Sequence, residues 1–304
     1  MTEPQAYLNG NFVAGAQASI SVVDGGFVQG TTVAEQLRTF GGELFQLEAH
    51  IERLFRSLAI VEVDPGLTSA EFARIAQELA EMNHALVATG DDLGMAMFVT
   101  PGAYPAMLSG KPAGATVCMH TFPLHFHLWA HKYQSGESLS TTDVAQVPAA
   151  CWPPELKCRS RMHYYLADKQ ARTRYPDSRA LMLDENGFVT ETTSSNIVLY
   201  RNGAGLVMPP REKVLPGISL AVLLELAEQL AIEYVERDLT TADVAAADEV
   251  FLTSTSPCVL PVVRINGQEI GRAVPGEIYR RFISTWSDLV GIDIARQAER
   301  FAVR

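Results

Sequence analysis

Residues 179–200 read RALMLDENGFVTETTSSNIVLY, and this stretch decides the fold. Apolar residues cluster at 179–184, 189–192 and 196–200, with Glu185-Asn186-Gly187 marking the first turn and small hydroxyl residues the second. Short β-rich runs bounded by turn residues are the signature of strands. A helical pattern over 161–175 precedes them and another over 219–233 follows. Helices and strands therefore share one layer system, and the reading is α+β.

Working outward, strands are expected at 234–239, 249–254 and 259–265, then a closing helix from about 275. Towards the start, Tyr7-Leu8-Asn9-Gly10-Asn11-Phe12-Val13 predicts a tight hairpin, because Asn-Gly supplies the left-handed conformations such turns need. A second hairpin is expected over 32–45, turning at Gly41-Gly42. It leads into a helix over 48–60 with Ile51, Leu54 and Leu58 at core spacing. A helix over 69–86 and strands at 95–100 and 115–123 complete a first unit. Between them, residues 124–152 lose periodicity and are rich in Ser, Thr, Gly, Pro and His, as a connection would be. The expected organisation is a small N-terminal domain over 1–123, a connection over 124–152 and a larger C-terminal domain over 153–304.

The chain has 304 residues, 47% of them hydrophobic, enough to bury sizeable cores. Its formal charge of −11 and pI near 5.1 disfavour nucleic acid, which is bound through clustered Lys and Arg. No apolar run spans a bilayer and MTEPQAYLNG lacks signal-peptide features, so the expected location is the cytoplasm, with no membrane partner. Cys118, Cys151, Cys158 and Cys258 form no CxxC pair and are expected as reduced thiols.

Four segments could carry chemistry. Lys157 lies in PPELKCRSRMHYYLADK, just before a helix. Taken alone, a lysine in a basic stretch is ordinarily a solvated surface charge. Glu191 ends an apolar strand, where a carboxylate could hold a heteroaromatic nitrogen protonated, or simply face water. Leu215-Pro216-Gly217-Ile218-Ser219 opens an apolar helix whose first-turn N–H groups suit a phosphate, although plain capped helices are common. Phe251-Leu252-Thr253-Ser254-Thr255-Ser256-Pro257 runs a strand into clustered hydroxyls.

Taken in order with LEAHIERLFRSL near the start, these segments resemble the class IV aminotransferases. That is the fold-type IV pyridoxal 5′-phosphate (PLP) family of branched-chain aminotransferases, D-amino-acid transaminases and aminodeoxychorismate lyases. The resemblance covers nearly the whole chain through GTTVAEQLRTFGGELFQLEAHIERL, the lysine segment, FVTETTSSNIVLY, LPGIS and ADEVFLTSTSPCVLPV. It implies a two-domain enzyme with PLP at the domain interface, acting as a homodimer. Lys157 carries the cofactor covalently and serves as the acid–base group, Arg53 holds the phosphate, and Glu191 pairs with the pyridine nitrogen. The amides of Ile218 and Ser219 and the Thr255 hydroxyl complete the phosphate cup, while Arg38 and Ser256 stand as candidate substrate contacts.

The expected reaction moves an α-amino group from a branched-chain or other hydrophobic amino acid to a 2-oxo acid such as 2-oxoglutarate. The alternatives are D-amino-acid transamination, aminodeoxychorismate lysis with pyruvate release and, least favoured, a non-enzymatic PLP-binding module. The sequence departs from the branched-chain pattern at Ala34, where phenylalanine is common before the glutamate, so the substrate pocket is altered. It also lacks the Asn-Tyr pair after the lysine, leaving Arg161 or Tyr164 to meet the cofactor's phenolic oxygen. Val99-Thr100-Pro101-Gly102 lacks the arginine usual in D-amino-acid enzymes. His120, His125, His127 and His131 raise a rival metal reading, since on a strand His125 and His127 would share a face. With no thiolate pair and no HExxH motif, no metal is expected.

Overall fold

A computed structural model describes residues 3–108 and 114–303. The chain divides into two compact units, Met1–Leu124 with Leu156–Ser160, and His125–Glu155 with Arg161–Arg304. Both mix strands and helices, giving an α+β chain.

The first unit contains β1 (Gln5–Leu8), β2 (Asn11–Ala14), a short α1 (Gly25–Val28), β3 (Val33–Phe40), β4 (Glu43–Leu44), α2 (Leu47–Ile60), α3 (Ser69–His84), β5 (Leu93–Thr100) and β6 (Thr116–Pro123). The six strands form one antiparallel sheet in the order β2-β1-β6-β5-β3-β4. Both expected hairpins are present. The second turns where Gly41 and Gly42 have φ of +60° and +91°, a conformation that costs side-chain-bearing residues strain. Their amides donate to the buried Asp92 carboxylate, each at 3.1 Å, which fixes the turn. Val33 and Leu37 of β3 share a core with Leu47, Ile51, Leu54 and Leu58 of α2. α3 opens on a capping box in which Thr68 and Glu71 satisfy each other's backbone N–H groups.

The second unit contains α4 (Lys132–Ser135), β7 (Glu137–Thr141), α5 (Met162–Arg174), β8 (Ser178–Leu183), β9 (Val189–Thr192), β10 (Asn196–Arg201), β11 (Gly205–Met208), α6 (Ile218–Gln229), β12 (Tyr234–Glu236), α7 (Thr241–Ala245), β13 (Glu249–Ser254), β14 (Cys258–Ile265), β15 (Gln268–Glu269), α8 (Glu277–Val290) and α9 (Ile294–Arg300). Its sheet runs β12-β11-β10-β13-β14-β7-β8-β9, with β15 on β14. The pairing of Glu191 with Asn196 brings β9 back to β10, so the strands from β10 round to β9 close into a ring. That closure puts the end of β9, where Glu191 sits, beside the start of β10 and the β13–β14 turn.

The division differs from the sequence expectation in two places. Residues 124–152 were expected to be an irregular connection, yet from His125 they belong to the second unit and include α4 and β7. β7 pairs in parallel with β14 and β8, strands remote in sequence, so no local turn signal announces it. Lys157, expected in the C-terminal domain, groups with the first unit. The main chain explains this: the Ala34 amide donates to the Lys157 carbonyl at 3.0 Å and the Arg159 amide to the Thr32 carbonyl at 2.8 Å. The closing helix is two helices, broken where Gly291 adopts φ +67° and Asp293 caps α9.

Candidate active site

In the first unit the site residues gather on β3, α2 and the Lys157 segment. His50, Arg53 and Ser57 recur at helical spacing along one edge of α2, and all three are buried. Glu35 lies on the β3 face shared with Val33 and Leu37, so its carboxylate meets that edge. Arg53 donates Nε to Glu35 Oε1 at 2.7 Å and Nη2 to Oε2 at 2.8 Å, a two-point pair. His50 Nδ1 lies 2.8 Å from Glu35 Oε2. Burial alone would raise the Glu35 pKa, but the Arg53 guanidinium and the hydrogen bonds from Arg53 and His50 outweigh it and hold the carboxyl well below its usual range. Burial lowers the His50 pKa, and the charges of Arg53 and Lys157 add to that against the pull of Glu35. At neutral pH His50 is therefore neutral and donates its Nδ1 hydrogen to Glu35.

Ser57 Oγ accepts the Lys157 backbone amide at 3.1 Å, so the lysine is fixed at its main chain by both α2 and β3. Arg38, on the opposite face of β3, is fully buried, with its guanidinium 3.9 Å from the Phe40 ring centroid and Nε donating to the Thr39 carbonyl. A substrate carboxylate would have to displace this packing to reach it.

In the second unit Glu191 is only 7% exposed. The Tyr164 hydroxyl donates to its Oε1 at 2.7 Å and Gln146 Nε2 to the same oxygen at 2.9 Å. Gln146 Nε2 also lies 3.0 Å from the Tyr164 hydroxyl, and the Leu215 amide reaches Glu191 Oε2 at 3.4 Å. Burial and the adjacent carboxylate push the Tyr164 pKa up, so the phenol keeps its proton and remains a donor. Tyr164 was one of two candidates for the cofactor's phenolic oxygen; its hydroxyl instead engages the Glu191 carboxylate. Arg161, the other candidate, lies just before α5, donates to the Thr193 carbonyl and stacks over the Tyr164 ring at 4.7 Å.

α6 begins at Ile218 and Ser219 with Gly217 as N-cap and no side-chain cap. A Cβ on Gly217 would collide with Asn196 Oδ1, so only glycine lets the chain pass this close. Thr255 and Ser256 occupy the turn between β13 and β14, and the Tyr133 hydroxyl steadies that turn by donating to the Pro257 carbonyl at 2.8 Å. Two residues before Thr255, Thr253 Oγ1 is buried with no hydrogen-bond partner among the described residues. An uncapped helix start, a glycine-only approach and a partnerless buried hydroxyl suit a phosphate-bearing ligand, and an oriented carboxylate suits a protonated ring nitrogen. These features fit PLP.

Of the histidines behind the metal reading, His125 precedes and His127 lies within a 3-10 turn over Phe126–Leu128, so they do not share a strand face; their ring centroids are 5.8 Å apart. Among the described residues no group of three His, Cys, Asp or Glu side chains could hold a metal. None of the described helices is long and apolar enough to cross a membrane.

Sequence reasoning missed Glu35, His50, Gln146 and Tyr133. Glu35 had a readable signal, a charge on the core-facing side of a strand. So did His50, in step with Arg53 on α2. Gln146 had none, because its stretch is aperiodic.

A putative branched-chain-amino-acid aminotransferase from Methanocaldococcus jannaschii is 32% identical over 284 residues, covering 93% of this chain and 95% of that protein. A D-alanine aminotransferase from Bacillus licheniformis is 30% identical over 273 residues, covering 89% and 91%. The solved branched-chain amino acid aminotransferase of Escherichia coli superposes with a TM-score of 0.87 at 22% identity, covering 95% of each chain, which shows a shared fold. The amino-transferase class IV family matches residues 32–265, and this chain belongs to that family as a PLP-dependent aminotransferase.

Proposed function

We propose that the chain moves the α-amino group of a branched-chain or other hydrophobic amino acid to a 2-oxo acid such as 2-oxoglutarate, with Lys157 as the catalytic residue. The observation that carries the site assignment is Glu191, a buried carboxylate oriented by Tyr164 and Gln146 at the strand end where the resemblance implies a partner for the pyridine nitrogen. The branched-chain donor rests on the Methanocaldococcus jannaschii relative and on the departure at Val99-Thr100-Pro101 from the D-amino-acid pattern.

When bound, PLP supplies an electron sink that acidifies the substrate Cα–H. Lys157 would be the group that holds the cofactor and moves the proton taken from the substrate Cα, as its acid–base residue. Glu191 keeps the pyridine nitrogen protonated by placing a negative charge beside it. Arg53, held in one orientation by Glu35, supplies fixed positive charge to the phosphate. The Ile218 and Ser219 amides and the Thr255 hydroxyl add donors, and Ser256 is the candidate contact of the substrate carboxylate.

A homodimer agrees with the apolar residues that α5 exposes one turn apart: Met162 at 69%, Tyr165 at 64% and Leu166 at 47%. Light scattering tests this, and an active monomer would contradict it.

The function is tested by following the absorption of lysine-bound PLP while L-leucine, L-alanine, D-alanine and L-glutamate are added separately. L-leucine should convert the cofactor to its amine form, and Lys157→Ala should lower turnover by at least about 10²- to 10⁴-fold. Conversion by D-alanine without L-leucine would replace the branched-chain reading with that of the Bacillus licheniformis relative.

A further inference from the structure

We infer that Tyr164 and Gln146 are positioning residues that clamp the Glu191 carboxylate and thereby set the protonation of the cofactor's ring nitrogen. This rests on Glu191 serving that nitrogen, as proposed above. The two donors converge on one oxygen, Oε1, at 2.7 and 2.9 Å, and they also touch each other at 3.0 Å. A carboxylate held by a single donor can rotate about that bond, whereas donors arriving from two directions fix its plane. Hydrogen bonds given to the ionised form also favour ionisation. Since the Tyr164 phenol is held well above its ordinary pKa, it stays a donor through the neutral range and cannot take Glu191's place as the anion.

The phenol is itself fixed. The Arg161 guanidinium stacks over its ring at 4.7 Å, and the His163 ring lies 3.9 Å away, tilted by 39°. Burial and the Arg161 charge lower the His163 pKa, so this neighbour is neutral at neutral pH. The groups facing the clamp include a guanidinium anchored on the Thr193 carbonyl, a neutral imidazole and the Leu215 main-chain amide. Gln146 is anchored too: its Oε1 accepts the Val147 amide at 3.0 Å and its backbone amide donates to the Leu183 carbonyl at 2.8 Å.

Tyr164→Phe keeps the ring and removes the donor, and Gln146→Met keeps the length and removes the amide. Each is reconstituted with PLP beside wild type and Glu191→Gln. Three quantities are read: the pH midpoint of the absorption change of lysine-bound PLP, kcat, and KM for the amino donor. In both variants we expect the midpoint to move in the direction seen for Glu191→Gln but by less. kcat should fall about tenfold, the scale of one hydrogen bond to a charged group, with KM within about twofold. A purely structural role would lower thermal stability and leave the midpoint in place. If both variants keep the wild-type midpoint while Glu191→Gln moves it, the clamp is refuted and the role of Glu191 stands. If Glu191→Gln moves neither midpoint nor kcat, the role of Glu191 falls and the clamp with it.

Discussion

Two buried carboxylates on strands, Glu35 and Glu191, are satisfied in opposite ways. Glu35, 1% exposed, takes two hydrogen bonds from the Arg53 guanidinium and one from neutral His50. Glu191, 7% exposed, takes hydrogen bonds from a phenol, a side-chain amide and, at longer range, a backbone amide. Burying a carboxylate is costly, and either solution offsets the cost. The ion pair stabilises the buried carboxylate and fixes the orientation of the guanidinium, so Glu35 acts through Arg53. Neutral donors orient the carboxylate and leave its charge uncancelled, as the proposed pairing with a protonated ring nitrogen requires.

The largest effect separating the two is expected from Arg53→Ala, which strands the Glu35 charge in the interior. Urea unfolding should show a loss of about 3–5 kcal/mol, as for a broken buried pair; a loss below about 1 kcal/mol would break the comparison. Glu191→Gln should behave inversely. Its unfolding free energy should stay within about 1 kcal/mol while kcat drops about 10²-fold, the scale of a lost electrostatic contact to the reacting group. A large stability loss there would make Glu191 a second Glu35.

A subtler difference appears with pH. Because the folded Glu35 carboxyl is held below its ordinary 4.5, the unfolded chain binds the proton first, so this stabilisation is present above about pH 4.5 and is lost as pH falls below it. His50 is also held below its ordinary 6.5, so the unfolded chain protonates first there too, and stability falls as pH drops through 6.5. Thermal unfolding should show both declines, and His50→Asn should shrink the upper one, the remainder belonging to His163, whose pKa is lowered too; an upper decline unchanged in size would sink this assignment. The smallest effect is the control: Arg56, paired with Glu52 at 3.0 Å on the exposed side of α2, should change stability by no more than about 0.5 kcal/mol when replaced by Gln.

Much of the fold was legible because it rests on near neighbours. Asn9-Gly10 and Gly41-Gly42 turned hairpins as expected, and residues 189–192 and 249–254 formed strands with the expected limits. β11, four residues reading GLVM, was missed because so short an apolar run carries no period of its own. β7 was missed because its partners lie far along the chain.

The same division runs through the site. By itself the sequence determined the local scaffolds: a lysine ahead of α5, a carboxylate ending β9, a glycine opening α6 and an arginine on the inner edge of α2. These depend on turn chemistry and on periods of two and 3.6 residues, which neighbouring positions encode. Only the tertiary structure decided which side chains meet. Gln146 reaches Glu191 from 45 positions away, Tyr164 from 27, and Glu35 reaches Arg53 from 18. Such hydrogen bonds exist only within about 3 Å, and no local pattern of residues records which remote segment the closing of a sheet will bring to that distance.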